Sequence, residues 1–156
     1  LVKGKLEHGV ILDPIRQEEF VASRGYGCQF NGQRVRVRKT NDLDGALLST
    51  GGNGWHEKAA AQGAVYTELL EQQAELRQPG SAALDLAYVA AGRLDGMWMK
   101  NLNLWDMAAG VLMVLEAGGL VGDFEGGSGH LKTGNIVAAG PKVFKGLLPI
   151  VKKLLA

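Results

Sequence analysis

One acidic side chain, Asp106, stands near the start of a segment that is otherwise apolar, LWDMAAGVLMVLEAGG. The segment predicts a helix that is apolar on almost every face and therefore deeply buried, ending at a glycine pair. A carboxylate at the first turn of such a helix can be an N-cap, which contributes roughly 1 kcal/mol. It can equally be a metal ligand, because hard divalent cations prefer carboxylate oxygen. The local sequence leaves both roles open.

The neighbours of Asp106 add two expectations. Ala108, Ala109 and Gly110 keep the first turn of this helix thin, which predicts that another backbone approaches it closely. Trp105 is expected to shield the carboxylate from water.

A second candidate site lies in RQPGSAALDLA, where a loop enters another predicted helix with Ser81 as its N-cap. At Gly80, Ser81 and Ala82 the free backbone N–H groups and the positive end of the helix dipole would face outward. That arrangement suits a phosphate or a ligand rich in hydroxyl groups. An ordinary capped helix explains the same residues, so a ligand is not required.

Asp13 ends the strand-like stretch GVIL and is followed by Pro14 and Ile15, which resembles one half of a metal-binding motif. The next residue is Arg16, whose guanidinium would repel a divalent cation. We therefore interpret Asp13 as part of the turn that connects GVIL to EEFVAS.

Other residues that often carry chemistry show no ligand spacing. We assign them to solvated turns, to the core or to local hydrogen bonding: Asp42, Asp44, Asp85, Asp95, Glu116, Cys28, His8, His56 and His130.

Residues 1–40 contain short extended segments separated by turns at Asp13-Pro14, Gly25-Tyr26-Gly27 and Asn31-Gly32. Asn-Gly is the strongest short hairpin signal, and RVRVR alternates as a strand with one solvated face does. These residues predict an antiparallel meander.

Residues 45–156 alternate between strands and helices, which predicts an α/β unit. The predicted elements are a strand at 46–50, a helix from about His56 to Glu75, the strand ELRQ, the helix SAALDLAYVAAG with Gly92 just past its end, the strand GMWMK, the helix DMAAGVLMVLEAGG, the strands LVGDF and NIVAAG, and a helix that starts at Pro141.

The composition is that of an ordinary globular chain: 156 residues, 46% hydrophobic and 21% charged, with a formal net charge of +1. This near-neutral charge does not favour nucleic-acid binding, and no apolar run is long enough to span a bilayer. The single cysteine fits a reducing, cytoplasmic environment. Because the chain lacks an initiator methionine and opens in strand-like sequence, we expect a fragment.

Taken together, GSAALDLAYVAAGRLDG and WDMAAGVLMVLEAGG, at this separation, closely resemble the inositol monophosphatase family. The upstream stretch GVILDPIRQEEFVASRGYGCQFNGQRVRV resembles the segment after that family's main metal motif. The resemblance runs over essentially the whole chain. It implies an α/β fold, namely the C-terminal half of the family's sandwich of sheets and helices, with a remnant antiparallel meander from the first sheet.

The resemblance also implies roles for particular residues. Asp106 corresponds to a ligand of a Mg²⁺ ion and lies in the substrate site, and Gly80, Ser81 and Ala82 match the segment that lines that site. Met99 occupies the position of the family's inositol-binding acid. Because a thioether cannot accept hydrogen bonds as a carboxylate does, specificity for inositol is open to question. No catalytic base is assigned.

The family's other metal ligands, an early glutamate and the motif Asp-Pro-Ile-Asp-Gly-Thr, are not in this chain. We therefore expect Mg²⁺-dependent hydrolysis of inositol-1-phosphate, or of a related sugar phosphate, in the intact protein and little activity in this chain alone. Some bacterial family members act with the transcription and ribosomal-RNA machinery, so a non-catalytic binding role is the alternative. A truncated dimerising module is a third possibility. The resemblance further implies a cytoplasmic homodimer without membrane or direct nucleic-acid contacts.

Overall fold

Residues 2–52 and 59–156 are described by the computed structural model. The first part of the chain forms one antiparallel sheet in the order β1-β2-β3-β4, which confirms the predicted meander. Its strands are β1 His8–Asp13, β2 Glu18–Ser23, β3 Gly27–Phe30 and β4 Gln33–Val35.

The turns of this sheet form for the reasons that the sequence indicated. Asn31 and Gly32 both have positive φ, 45° and 77°, as a tight hairpin between β3 and β4 requires. At the β1–β2 turn, Asp13 Oδ1 accepts the amides of Ile15 and Arg16 at 3.0 and 3.1 Å. Asp13 Oδ2 also pairs with the Arg16 guanidinium at 2.8 Å, and this hydrogen bond lowers the pKa of Asp13. Asp13 is therefore a turn residue, as predicted.

The second sheet has the order β6-β5-β7-β9-β8, in which β5, β6 and β7 are parallel and β9 runs antiparallel to β7 and β8. Its strands are β5 Leu47–Gly52, β6 Glu75–Arg77, β7 Gly96–Lys100, β8 Leu120–Gly122 and β9 Ile136–Ala139. Every strand predicted in residues 45–156 is present.

The helices are α1 Ala59–Glu71, α2 Ala82–Ala90, α3 Leu104–Glu116, α4 His130–Thr133 and α5 Pro141–Leu155. The predicted start of the first helix at His56 lies outside the described residues, and its predicted end at Glu75 is wrong. The helix ends at Glu71 because Glu75 is already paired with Leu47 in the second sheet. The short α4 had no sequence signal. None of the helices in the described ranges is long and apolar enough to cross a membrane.

The elements stack in four layers: first sheet, α2 with α3, second sheet, and α1 with α5. One apolar core lies on the α2–α3 side of the second sheet and reaches the first sheet, including Phe20, Leu86 and Met113. The other lies on the α1–α5 side and includes Trp98, Leu69 and Leu147. Because α2 and α3 are covered on both faces, nearly all side chains of α3 must be apolar, as they are.

Small residues allow this close stacking. A Cβ atom built on Gly110 of α3 would lie 2.4 Å from Cβ of Leu86 in α2. On the other side of α3, a Cβ atom built on Gly9 of β1 would lie 3.1 Å from Cα of Ala109. The expected close approach of another backbone to the thin first turns of α3 is therefore confirmed.

We expect Gly110→Ala to destabilise the fold by about 1–3 kcal/mol, because the added methyl group overlaps Leu86 and forces α2 and α3 apart. Gly63→Ala in α1 is the matched control, because a Cβ atom there meets nothing within 4 Å. That control should stabilise by about 0.5–1 kcal/mol through helix propensity. Urea unfolding monitored by circular dichroism measures both, and equal effects of the two variants would contradict the close α2–α3 contact.

Candidate active site

The topology brings the starts of α2 and α3 to one edge of the second sheet. β5, β6 and β7 are parallel, so their carboxyl ends lie at the same edge. α2 follows β6 after a short loop, and α3 follows β7 after residues 101–103. Both helices therefore begin at the edge where ligands commonly bind in open α/β sheets. The candidate residues from the two sequence stretches therefore lie at the same edge of the sheet.

The loop before α2 has the predicted geometry. Ser81 is the N-cap, with extended φ and ψ of −128° and 102°, and its hydroxyl accepts the amide of Leu84 at 3.4 Å. Gly80 has a φ of +96°, which a residue with a side chain would adopt only with strain. Within the described ranges, neither the amide of Ala82 nor that of Ala83 donates a hydrogen bond. The start of α2 can therefore donate hydrogen bonds to an anion.

At the start of α3, the structure corrects one of the two roles considered for Asp106. The N-cap is Asn103, and the helix begins at Leu104, two residues before the predicted start. Asp106 is the third helical residue, and its Oδ2 accepts the backbone amide of Asn103 at 2.9 Å. The carboxylate therefore reaches back to satisfy a free amide, as in a capping box, and stabilises the positive end of the helix dipole.

The other oxygen of Asp106, Oδ1, is not used in that bond, and the side chain is half-buried. Asp106 therefore fits a hard cation as one carboxylate ligand. Within residues 2–52 and 59–156, however, no three His, Cys, Asp or Glu side chains are grouped so as to hold a metal ion. The donor set in this part of the chain is therefore partial.

The expectation that Trp105 shields Asp106 from water is wrong for this chain, because 79% of Trp105 is exposed. Leu104 is also exposed at the same turn. The helix turns these two residues outward, whereas Met107 and Gly110 face the core. An exposed apolar surface therefore adjoins Asp106.

Met99 lies near the carboxyl end of β7, where it pairs with Gly51 of β5 and Ile136 of β9. Its side chain is buried, and its Cε atom would lie 3.3 Å from a Cβ atom at Gly51. Lys100, the last residue of β7, is also buried. At this point of the edge the structure therefore places an apolar side chain, which offers no strong hydrogen-bond acceptor.

Asp85 is a residue whose environment the sequence did not reveal. It lies one turn into α2 and is fully buried, and in the described chain neither of its oxygens has a hydrogen bond of ordinary geometry. Burial raises the pKa of this carboxyl to about 6, and the nearby Ser49 hydroxyl offsets part of the effect. The internal position was predicted, but the raised pKa results from burial by the packed fold, and Ser49, which partly opposes it, is 36 residues earlier in the chain.

The remaining acidic, basic and thiol candidates have structural roles. Glu116 accepts the amides of Gly25 and Gly27, both at 2.8 Å, which joins the end of α3 to the β2–β3 turn. Asp95 accepts the amide of Leu47 at 2.8 Å and is buried. Cys28 is buried, and desolvation raises its pKa to about 11, so its thiol is not nucleophilic at neutral pH.

The other candidates lie apart from this edge or outside the described ranges. Asp42 accepts the amide of Asp44 in an exposed turn, and His8 pairs with Ser23. His130 is buried, which lowers the pKa of its imidazole. His56 is outside the described residues. That none of these residues binds a ligand stays a prediction.

The chain belongs to the inositol monophosphatase family, whose model matches residues 1–155. It is 50% identical over 153 residues to the Nus factor SuhB of Pseudomonas aeruginosa, covering 96% of this chain and 56% of that protein. It is 49% identical over 151 residues to the Nus factor SuhB of Escherichia coli K12, covering 94% and 55%. The chain therefore spans somewhat over half the length of these relatives.

Solved structures show the same fold. The extragenic suppressor protein SuhB from Bartonella henselae superposes with a TM-score of 0.89 at 42% identity, over 94% of this chain and 57% of that one. The inositol monophosphatase from Anabaena superposes with a TM-score of 0.86 at 33% identity, over 95% and 62%. The resemblance seen in the sequence and the α/β fold that it implied are both confirmed.

The raised pKa of Asp85 predicts a pH-dependent stability. A carboxyl whose pKa is raised in the folded state stabilises the fold at pH values below its unfolded-state pKa of 3.8. This stabilisation is lost as the pH rises through its folded-state pKa of about 6. Asp85→Asn cannot ionise and should therefore exceed the original protein in stability at pH 8 by roughly 2–3 kcal/mol, with the gain largely gone at pH 4.

Urea unfolding at several pH values measures this difference. Asp44→Asn, at an exposed aspartate, is the control and should change stability by less than about 0.5 kcal/mol at each pH. A stability gain in Asp85→Asn that does not vary with pH would contradict the assignment.

Proposed function

We propose that the whole protein hydrolyses phosphate monoesters with Mg²⁺, acting on inositol-1-phosphate or a related sugar phosphate. The observation that supports this most directly is that Asp106 and the start of α2 lie at the same edge of one sheet. Membership in the inositol monophosphatase family supports the reaction class. Because the chain spans only 56% of a relative's length, the activity is proposed for the whole protein.

In this proposal, the Asp106 carboxylate would hold Mg²⁺, and the hydrogen bond between its Oδ2 and the amide of Asn103 would fix its orientation. A bound Mg²⁺ neutralises charge on phosphoryl oxygens and activates water. The N-terminal amides of α2, at Ala82 and Ala83, donate hydrogen bonds to substrate oxygens, and Gly80 and Ser81 shape the loop. The parallel strands and the close α2–α3 contact hold these groups in place before substrate binds.

Met99 is proposed as a determinant of specificity. Its buried thioether offers no strong acceptor for the hydroxyl groups of inositol. We therefore propose that the site discriminates weakly between inositol phosphate and other sugar phosphates, because binding energy from those hydroxyls is missing.

The proposal also covers features that follow from the family resemblance. The chain is divided into a meander at 1–40, belonging to an N-terminal sheet, and an α/β domain at 45–156. The whole protein is a cytoplasmic homodimer, without membrane or direct nucleic-acid partners.

We expect the purified 156-residue chain to show little or no Mg²⁺-dependent turnover of inositol-1-phosphate, because one suitable carboxylate cannot hold the cations for phosphoryl transfer. Release of inorganic phosphate, measured with and without EDTA, tests this against an intact relative. A rate near that of the relative would refute the expected inactivity.

In the whole protein, Asp106→Asn should lower turnover at least about tenfold and raise the Mg²⁺ requirement. Asp44→Asn should change neither.

A binding role with the transcription machinery is the second candidate. It is favoured by the relatives at 49–50% identity, which carry the name Nus factor SuhB. The buried Met99 also favours a role that needs no catalysis. In this case the edge around Asp106 would be dispensable.

If binding is the function, a pull-down from the source organism should recover transcription elongation factors, identified by mass spectrometry. The Asp106→Asn variant should recover the same factors, and this comparison tests whether the proposed metal ligand is needed for binding them. Failure to recover any such factor would count against the binding role, and loss of recovery in Asp106→Asn would couple it to the metal site.

A further inference from the structure

A cavity of about 550 Å³ lies where the connection between the two sheets passes the end of α3 and the start of α5. Its lining, all within the described residues, includes four cationic side chains and no carboxylate: Arg36, Arg38, Lys39 and Lys142. Val37 and Ala117 contribute apolar surface. Such a concentration of positive charge is unusual in a chain whose net charge is only +1.

The walls of this cavity are held rigidly. The amide of Val37 donates to the carbonyl of Ala117 at 3.1 Å, so the connection is bonded to the end of α3. Beneath it, the buried Asp95 pairs with Arg38 at 3.6 Å and accepts the Thr40 hydroxyl. A Cβ atom on Gly140 would lie 2.8 Å from the Arg38 carbonyl, so the start of α5 also packs tightly against the connection. The cavity is therefore formed before any ligand binds.

The electrostatics of the two helix ends favour an anion. Arg36 donates to the carbonyl of Glu116 at 2.8 Å, and together with the Val37 amide it neutralises the negative end of α3. α5 starts at Pro141, and because Pro141 and Lys142 line the cavity, the positive end of α5 lies beside it.

The two lysines remain available to a ligand. Lys142 Nζ donates to the Asn41 amide oxygen at 2.7 Å, which is a neutral partner. Among the ion pairs of residues 2–52 and 59–156, none involves Lys39 or Lys142. Arg36 and Arg38 each use only part of a guanidinium that has five donors.

This cavity is separate from the edge around Asp106. Asp106 is in the first turn of α3, and Ala117 directly follows its last residue. Eleven residues of helix place the two about 16 Å apart.

We propose that this cavity binds a small phosphate-bearing molecule, with Lys39 and Lys142 as its main charge partners. The volume falls within the range of about 300–1,000 Å³ that is typical of small-molecule sites. No aromatic side chain lines the cavity to stack nucleic-acid bases, so a small phosphate compound fits better than a single-stranded RNA. The site does not depend on the proposed phosphatase activity.

The test is a titration of the full chain with pyrophosphate, with orthophosphate and with a nucleoside monophosphate, in EDTA so that no Mg²⁺ is bound. Backbone amide NMR shifts locate binding, and calorimetry measures affinity. The expected result is saturable binding with shifts at Val37–Asn41 and Gly118.

The double variant Lys39→Gln/Lys142→Gln should weaken the binding of these phosphate compounds at least tenfold. Lys132→Gln/Lys153→Gln, which removes the same charge elsewhere, should leave affinity unchanged. Circular dichroism verifies that both variants fold.

Three results would overturn the proposal. Shifts confined to Asn103–Met107 and the start of α2 would assign phosphate binding to the edge around Asp106. Equal weakening in both double variants would show only screening of net charge. Binding of a single-stranded RNA or of an acidic peptide at Val37–Asn41, with none of the phosphate compounds bound, would make the cavity a macromolecular contact. Because no assay here measures turnover, failure of this proposal is distinguishable from failure of the proposed hydrolysis.

Discussion

The contact between α2 and α3 is the constraint on which the rest of the structure depends. Gly110 lies so close to Leu86 that a single added methyl group would overlap it. This pair of helices separates the two sheets and contributes much of the core between them. The four layers can stack only if α3 is apolar on both of its covered faces and thin where it crosses α2 and β1. Its composition from Met107 to Val114 satisfies both requirements.

Because α3 is so deeply buried, the free amides and carbonyls at its two ends must be hydrogen-bonded by neighbouring residues. These residues lie at the candidate site at one end and at the cationic cavity at the other. At the amino end, Asp106 Oδ2 accepts the amide of Asn103, and its other oxygen takes no part in that bond. At the carboxyl end, Arg36 and the Val37 amide satisfy the last carbonyls, while the Glu116 carboxylate holds the β2–β3 turn. The same helix therefore positions the edge near Asp106 and fastens the first sheet to the second.

Local sequence signals predicted what depends on neighbours in the chain. Asn31-Gly32 specified its hairpin, Ser81 its N-cap, and Pro141 the start of α5, because each acts within a few residues. The signals failed at the start of α3 and where a distant contact decides. Asn103 rather than Asp106 is the N-cap of α3, and Trp105 faces solvent although shelter of the Asp106 carboxylate was expected. The protonation of Asp85 and the cavity at Arg36–Asn41 depend on residues far away in sequence.

Two kinds of buried charge in this molecule have opposite consequences. Asp95 lies in the interior with the Leu47 amide, Arg38 and the Thr40 hydroxyl around it, so its carboxyl stabilises the junction between the sheets. Asp85 has only the Ser49 hydroxyl nearby, and burial raises its pKa. An interior carboxyl without donors costs stability when it ionises, and proteins retain such groups mainly where a site requires them. Asp85 lies one turn from Ser81, at the edge where both helices start. The loss of stability on its ionisation therefore affects the part of the fold that contains the candidate site.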